Sequence, residues 1–422
     1  MTIRYLPIYD QYFPDQNSSA SPTLASWKNF QSKDADFKAS LSDRNPDFSV
    51  TTTAPGSWLD TAKRIVSFIV VNIFILPYGL YQLLRYITQR VIMLPLFPAQ
   101  SRIVRFLASG LRRENLDNYR QEMAQRLTSE GFIVRDVSLE KNGVRYSGIL
   151  IGHKYTINNG NWALQATGNA EPVDYSAEDF AHIYHTSTHI NPNPSKYNLL
   201  LVNGPSVGRS EGQATAETIG DAQEVGISFL ETAIKAKRVV IAGRSLGGAA
   251  IGQAILKHDF KPDVKYLVVN QMTFSKASEI CGKFVKRFER FVNWLVKWSS
   301  CEMDTIAASR KLSEKGIKEI IVQCSNKSVE GIPHLEDFQT DGPIISDASL
   351  GYGLIKENLT KDKMFICLPW ASHMTDRSII APQAEIAKLG QIAKLDQIPK
   401  NNSRDCSFWS WLWHSNNTTT TV

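Results

Sequence analysis

The sequence predicts an α/β fold built on a doubly wound, mostly parallel sheet, and three observations support this prediction. Short apolar runs rich in β-branched residues recur along the chain, and segments with helical periodicity separate them. One such run, Val239 to Ala242, leads through Gly243-Arg244-Ser245-Leu246-Gly247 into a further helical segment. A strand, a sharp turn flanked by glycines and a helix together display a serine hydroxyl at the carboxyl end of a sheet. Ser245 is therefore the candidate nucleophile.

Composition narrows the class of protein. The chain has 422 residues, a net charge of +6 and 43% hydrophobic residues, enough for one large domain with appendages. The densest basic set follows an apolar segment, which favours a membrane surface over nucleic acid; it comprises Arg102, Arg105, Arg112 and Arg113. The five cysteines are widely spaced without a C-x-x-C pair, so neither a disulfide framework nor a zinc site is predicted.

The amino-terminal part divides into a polar, partly disordered arm over 1–57 and a hydrophobic, membrane-associated helical segment over 58–112. Residues 65–84 carry no charge, and twenty helical residues rise about 30 Å, the thickness of a bilayer core. Three structures remain open: a spanning helix, an interfacial helix or hairpin kinked at Pro77, and a helix packed on the main domain. More Lys and Arg follow the segment than precede it, which favours a cytoplasmic main domain.

The main domain is predicted over 113–400, and its elements follow in order. A helix over 113–131 leads to a hairpin, Phe132 to Leu139 and Val144 to Gly152, with Asn142-Gly143 as its turn. Further strands are predicted at Trp162 to Thr167, 198–204, 238–242, Tyr266 to Asn270, 319–324 and 364–368, with helices at Ala214 to Ala236, Ala249 to Lys257 and 380–394.

Two aromatic segments stand out. Residues 273–312 are predicted as cap helices, and their aromatic stripe favours core or cap packing over direct substrate contact; it comprises Phe284, Phe288, Phe291, Trp294, Leu295 and Trp298. The tail over 401–422 contains Phe408 to Trp413, which is typical either of an interfacial anchor or of a tail docked on the domain.

A serine nucleophile needs a base, and the base needs an orienting carboxylate. In the order serine, acid, histidine, only His373 follows the last predicted strand at loop distance, whereas His258, His334 and His414 are placed elsewhere. The acid should follow the strand ending at Cys324, and the candidates are Glu330, Glu336, Asp337, Asp341 and Asp347. Asp341 is favoured because Asp341-Gly-Pro-Ile-Ile345 places an apolar pair after the acid and a helix opens at Ala348-Ser349-Leu350. Glu330, in Glu330-Gly-Ile-Pro333, is the alternative.

A third pattern is not favoured as a site. His182, His185 and His189 have spacings of three and four residues, which would place them on one helical face. Thr186, Ser187 and Thr188 are poor helix formers, so we expect a polar surface segment and no metal.

Over residues 130–395 the chain resembles an α/β hydrolase, and it is similar in detail to the CHLPS-type proteins of Chlamydia and the lipase-like effectors of Legionella. Four blocks carry the resemblance: Leu199 to Gly204, Ala242 to Gly248, Asp341 to Leu350, and Ser372-His373. The resemblance implies an α/β-hydrolase fold with a helical cap insertion, and the roles of nucleophile for Ser245, acid for Asp341 and base for His373.

The oxyanion hole follows from the same comparison. One backbone donor is expected at Leu246, directly after the serine, and the other from the loop after the strand 198–204. The residue after Gly204 is Pro205, which has no N–H, so Gly204 or Ser206 is expected to donate instead.

These patterns predict a membrane-associated serine hydrolase that cleaves a lipid or acyl ester, or a thioester, without metal or organic cofactor. The alternative is a weakly catalytic or inactive binding module at a membrane, which Pro205 favours. Secretion into a host cell as an effector is implied by the resemblance alone.

Overall fold

The computed structural model of the chain describes residues 3–4, 76–93, 113–168, 172–186, 197–327, 329 and 331–369. The elements, in chain order, are β1 (Ile3–Arg4), α1 (Leu76–Met93), α2 (Arg113–Ser129), β2 (Phe132–Lys141), β3 (Val144–His153), β4 (Asn161–Ala166), α3 (Ala177–Thr186), β5 (Asn198–Val202), α4 (Ala216–Thr232), β6 (Arg238–Arg244), α5 (Leu246–Lys257), β7 (Lys265–Gln271), α6 (Ala277–Phe284), α7 (Glu289–Trp298), α8 (Thr305–Glu314), β8 (Lys318–Ser325), α9 (Leu350–Lys356) and β9 (Lys363–Pro369).

Within this described part, the strands form one sheet in the order β1-β2-β3-β5-β4-β6-β7-β8-β9. The six strands from β5 to β9 in that order pair in parallel, and β1 to β3 extend the sheet in antiparallel pairing. The hairpin turn has Asn142 and Gly143 at φ 53° and 73°, as a two-residue turn of this kind requires. The predicted fold class, a doubly wound and mostly parallel α/β-hydrolase sheet, is confirmed.

Helices cover both faces of the sheet. On one face α4, α5 and α8 pack on alternate residues of the central strands, with Ile251 and Leu312 fully buried there. On the other face α2 and α3 supply Met123 and Phe180 to a second cluster. Strands buried on both sides are expected to be almost continuously apolar, and the completely buried Asn198–Val202 strand shows this pattern.

The segment between β7 and β8 departs from its prediction in two ways. The predicted cap range 273–312 includes α8, which packs beside α5 on the sheet through Ala308 and Leu312. The aromatic stripe was predicted to be packed, but Phe288, Phe291 and Trp294 are more than half exposed. The buried side of α7 is instead formed by Val296, with Val292 beside it. The aromatic side therefore faces outward, and the side chain of Phe284 lies outside the description.

Helix α1 lies within the segment for which three structures were open. Pro77 occupies the first turn of the described helix, where a missing N–H costs nothing. Tyr81 meets Trp298 edge to face with ring centroids 5.5 Å apart, and the Gln89 amide donates to the Ser299 carbonyl. The described part of this segment, residues 76–93, thus packs on the domain. No helix among the described residues is long and apolar enough to cross a bilayer.

One ion pair lies inside the sheet itself. The side chains of Glu319 on β8 and Lys363 on β9 are completely buried, with Nζ and Oε2 2.9 Å apart. Asn270 on β7 and Ser309 on α8 donate hydrogen bonds to the same carboxylate. A buried charge is tolerated only when it is paired and fully hydrogen-bonded, so this group ties three strands and a helix together.

Candidate active site

Ser245 stands at the turn between β6 and α5, at the carboxyl edge of the parallel strands. Its φ of 53° and ψ of −122° lie in a region that non-glycine residues seldom adopt. The backbone is held there by its own N–H, which donates to the carbonyl of Gln271 on the neighbouring strand at 2.8 Å. Such strain persists only where surrounding structure enforces it, and it is concentrated at functional sites.

Two glycines make this turn possible through close packing. A Cβ on Gly243 would lie 2.6 Å from the carbonyl oxygen of Gly247. A Cβ on Gly247 would lie 2.5 Å from the carbonyl oxygens of both Ala166 and Thr167. These distances are shorter than any real Cβ contact, so α5 can approach β4 and β6 this closely only with glycine at both positions.

The segment that follows β4 comes close to the serine. A Cβ on Gly168 would lie 3.8 Å from Cβ of Ser245. By contrast, the strand preceding Gly204 and Ser206 is separated from the elbow strand by β4. The assumption that the loop after 198–204 adjoins the elbow is therefore corrected by the strand order.

Gly204 and Ser206 have local structural roles. Asn203 is fully buried and accepts the Val173 N–H at 2.9 Å while donating to the Ser147 hydroxyl at 3.1 Å. The Gly204 carbonyl accepts the Val207 N–H, and the Ser206 hydroxyl donates to the Gly212 carbonyl. The Asn-Gly signal after β5 thus anchors a loop. Gly168, which directly follows the predicted strand Trp162 to Thr167, is a glycine near Ser245 that sequence reasoning did not single out.

The Leu246 N–H opens α5, and the first N–H groups of a helix have no partner within the helix. This position, one residue after Ser245, is where an oxyanion donor is required.

Of the candidate acids, Asp341 and Asp337 are buried, at 4% and 1% exposure. Asp341 accepts the Ile344 N–H at 3.0 Å and also donates its own N–H to the Ile344 carbonyl. Burial, with the charge of Asp341, raises the pKa of Cys324 to about 12, while Arg244 opposes the rise. Asp341 therefore lies near Cys324, at the end of β8.

Asp337 is committed to its own loop. Its carboxylate accepts from Lys327 at 2.9 Å and from the His334 N–H at 2.9 Å. The Lys327 hydrogen bond, followed by the one from His334, lowers the pKa of this carboxyl group. Asp347 is exposed and pairs with Lys283, Glu336 is exposed, and Glu330 lies outside the described residues.

The predicted base, His373, also lies outside the described residues. The strand that leads to it, β9, ends at Pro369, paired with Ser325 at the end of β8. His258 lies at the far end of α5, where its two ring nitrogens contact Glu231 at 2.8 Å and Glu224 at 3.2 Å. Since twelve helical residues rise about 18 Å, this buried histidine is remote from Ser245.

The described part of the histidine segment, up to Thr186, forms a helix, whereas a polar surface segment was expected. Phe180 and Ala181 bury one side of α3. His182 and His185 do not form a joint site. His182 lies 3.4 Å from Glu130, whereas the His185 ring stacks on His153 with centroids 3.9 Å apart. His189 lies outside the described residues.

His182 also shares a surface cluster with Glu130 and Glu178, whose ligand atoms lie within 4.8 Å of one another. Glu178 is bound by both donor nitrogens of Arg126, the shorter contact being 2.7 Å. A cation already neutralises this carboxylate, so the cluster is a surface ion-pair network.

A comparison with models of known protein families shows to which family the chain belongs. The family model described as Chlamydia CHLPS protein (DUF818) matches residues 29–372, most of the sequence. The chain belongs to this family. The suspected relation to CHLPS-type proteins is therefore confirmed, and a comparison with curated proteins found no match.

Solved structures share the fold at low identity. An esterase from Pyrococcus furiosus is 12% identical, with 64% of this chain and 92% of that chain covered and a TM-score of 0.41. An alpha-beta hydrolase from Vibrio vulnificus is 14% identical, with 69% and 94% covered and a TM-score of 0.45. An enol-lactonase from Burkholderia xenovorans is 11% identical, with 60% and 99% covered and a TM-score of 0.39. These similarities concern the fold alone.

Proposed function

We propose that this CHLPS-family chain is a serine hydrolase that cleaves carboxylic esters of lipophilic acyl groups through an acyl-enzyme. The observation that carries the proposal is the strained Ser245 between a buried strand and a helix, enforced by Gly243 and Gly247. Strain of this kind is worth about 1–3 kcal/mol and is retained where it serves a function.

In the proposed reaction the Ser245 hydroxyl attacks the ester carbonyl and His373 takes its proton. Asp341 orients the imidazole and balances the charge that forms on it. His373 then protonates the leaving alcohol, and a water molecule, activated by the same base, releases the acid. Asp341 is preferred over Asp337 because the cation of Lys327 already neutralises the Asp337 carboxylate. A thioester would react by the same steps.

The oxyanion hole is proposed to consist of the Leu246 N–H and a backbone donor from the loop that begins at Thr167. The approach of Gly168 to Ser245 supports this second donor. Under this assignment Pro205 removes no donor, so it no longer favours an inactive binding module. Each donor of this kind contributes about 2.7–4 kcal/mol to the stability of the transition state.

An acyl substrate is supported by the apolar surroundings of the elbow. Leu246 belongs to a buried cluster with Phe274 and Ile280, and Val296 of α7 joins it. An acyl chain that leaves the serine in this direction would meet hydrocarbon side chains.

Labelling with a fluorophosphonate probe tests the proposal, because such probes react only with an activated serine. We expect the intact chain to be labelled, Ser245→Ala to be unlabelled and His373→Ala to be labelled at least about 100-fold more slowly. Ser129→Ala, at an exposed helix end, is the matched control and should be labelled normally. A folded intact chain that remains unlabelled, with detergent present, would reject the enzyme and favour the binding module.

A further inference from the structure

Helix α7 has two apolar sides, of which only one is used by the domain. Val296 is completely buried and packs with Cys301 and Met303 on the underside of the helix. The other side carries Phe288, Phe291 and Trp294, with exposures of 57%, 57% and 54%. Packing of the domain therefore accounts for the buried side of α7, which carries Val296, but not for its exposed aromatic side. Contiguous exposed apolar surface of this kind indicates an interaction site.

The exposed aromatic rings form one continuous row. Phe291 stacks on Trp294 with centroids 5.9 Å apart, and Trp294 stacks on Trp298 at 5.8 Å. Trp298 in turn meets Tyr81 of α1, so the row continues into a second helix. We call this row, comprising Phe288, Phe291, Trp294, Trp298 and Tyr81, the aromatic face.

Basic side chains predominate around the aromatic face. Residues 283–301 contain five basic side chains and one acidic side chain, a net charge of +4, and the acidic one, Glu289, lies 3.4 Å from Lys283. Arg290 and Lys297 are exposed and, at helical spacing, follow one border of the aromatic row. Arg287 lies over the Phe288 ring at 6.0 Å. Helix α1 contains no acidic residue, and its Arg85 donates to the Ser300 hydroxyl.

We propose that the aromatic face is a peripheral docking surface for an anionic lipid bilayer. Exposed aromatic residues bordered by Lys and Arg are the composition of helices that lie in a membrane interface, where rings enter the headgroup region and cations meet anionic lipids. A protein partner with an apolar surface would not explain the net positive charge of this border. The uncharged run 65–75, which leads directly into α1, extends the same apolar character in the sequence.

This docking would bring the bilayer close to the elbow. The underside of α7 belongs to the same buried cluster as Leu246, the residue after Ser245. A single helix, about 10 Å across, therefore separates the aromatic face from the cluster beside the nucleophile. The docking itself does not require Ser245 to react, so it can be tested apart from the proposed activity.

The experiment is co-sedimentation of the full chain with phosphatidylcholine vesicles that contain or lack phosphatidylserine. We expect binding that is stronger with phosphatidylserine and weakens as salt is raised. Phe288→Ser, Phe291→Ser and Trp294→Ser combined should lower the vesicle partition coefficient at least ~10-fold. Tyr155→Ser is the matched control, because Tyr155 is 79% exposed and lies on the loop after β3.

Charge reversal provides a second, independent variant. Arg290→Glu with Lys297→Glu should lower binding to phosphatidylserine vesicles by roughly 25-fold or more and change binding to neutral vesicles much less. Lys265→Glu with Lys318→Glu, at exposed positions at the amino-terminal edge of β7 and β8, is the control and should bind normally. All substituted side chains are exposed, so thermal unfolding should remain unchanged.

Three results would overturn the proposal. They are absence of vesicle binding by the full chain, binding that neither set of substitutions weakens, and self-association that the aromatic substitutions abolish without any effect of lipid. The last result would assign the aromatic face to a second copy of the chain. Labelling of Ser245 without lipid is measured in parallel, so failure of docking and failure of the proposed activity are distinguishable.

Discussion

The two ends of helix α5 are held in place by different physical means. At the amino end, Ser245 is fixed by sterics: a strained φ, two glycines with no room for a Cβ, and a backbone hydrogen bond to Gln271. At the other end, His258 is fixed by charge, between Glu224 and Glu231. Steric constraints do not change with pH, whereas ion pairs do. The proposed chemistry at Ser245 and the pH-dependent ion pairs of His258 thus lie at opposite ends of α5.

The largest effect should follow the loss of the hydroxyl at the amino end. Ser245→Ala is expected to lower ester hydrolysis by about 10⁴–10⁶-fold, because the nucleophile of a triad accounts for most of its catalysis. The free energy of unfolding should change by less than about 1 kcal/mol, since alanine adopts the same backbone with the same contacts. Hydrolysis of a soluble ester and thermal unfolding measure the two quantities. A large loss of stability would contradict the separation.

The two buried candidate acids, Asp341 and Asp337, separate a catalytic role from a structural role in the same way. Asp341→Asn should lower kcat by about 10³–10⁴-fold with little change in KM, because an amide would favour the wrong tautomer of the base. Asp337→Asn should retain activity and lose roughly 1–3 kcal/mol of stability, since it weakens the ion pair with Lys327. Steady-state kinetics and urea unfolding of both variants measure activity and stability. If Asp337→Asn were inactive but stable, Asp337 and not Asp341 would be the acid that orients the base.

A methyl group added at the amino end tests the steric argument. In Gly247→Ala the new carbon would lie 2.5 Å from two carbonyl oxygens, so we expect roughly 1–3 kcal/mol of destabilisation and loss of probe labelling. Gly252→Ala, one turn further along α5, meets only side-chain and Cα carbons at 3.3 to 3.5 Å. It should cost less than about 1 kcal/mol and retain labelling. Equal effects at both positions would show that the elbow is not sterically enforced.

The smallest expected effect on stability follows a change at the carboxyl end of α5, where His258 lies between two carboxylates. Burial alone would lower the pKa of His258, but hydrogen bonds to Glu224 and Glu231 outweigh burial and raise it above 6.5. A raised pKa contributes stability that is complete below the unfolded value and is lost as the pH rises through the folded value. His258→Gln should therefore destabilise the protein more at about pH 6 than at about pH 9, by roughly 1–2 kcal/mol.

Glu231→Gln serves as the partner variant for that measurement. It removes one of the two carboxylates that hold the imidazolium, so the pH-dependent part of the His258 contribution should shrink in it. Activity toward a soluble ester should persist in both variants. A difference between native protein and His258→Gln that does not vary with pH would contradict the ionic account.

The sequence was most informative where a local rule leaves few choices. Asn142-Gly143 predicted the hairpin turn because both residues tolerate positive φ, and the G-x-S-x-G pattern predicted the strand and helix around Ser245. It was least informative about which strands become neighbours. Strand β4 precedes β5 in the chain but lies between β5 and β6 in the sheet, so Gly168 and not Gly204 adjoins the serine strand.

The aromatic stripe shows a related limit. Helical periodicity establishes that a helix has an apolar side, but it does not establish that this side faces the core. In α7 the smaller Val292 and Val296 face inward, and the larger rings face outward. In α3, by contrast, the buried Phe180 fits the helix described over Ala177–Thr186, although Thr186 is a weak helix former.

The buried pair of Glu319 and Lys363 has a consequence for the synthesis of the chain. Glu319 leaves the ribosome forty-four residues before its cation, and until Lys363 arrives a carboxylate on an inner strand of the sheet lacks its charge partner. Closing β7 and β8 over that unpaired charge would cost several kcal/mol. The nascent chain should therefore complete this half of the sheet only after β9 has emerged, so the last described strand sets the time at which the domain becomes protease-resistant.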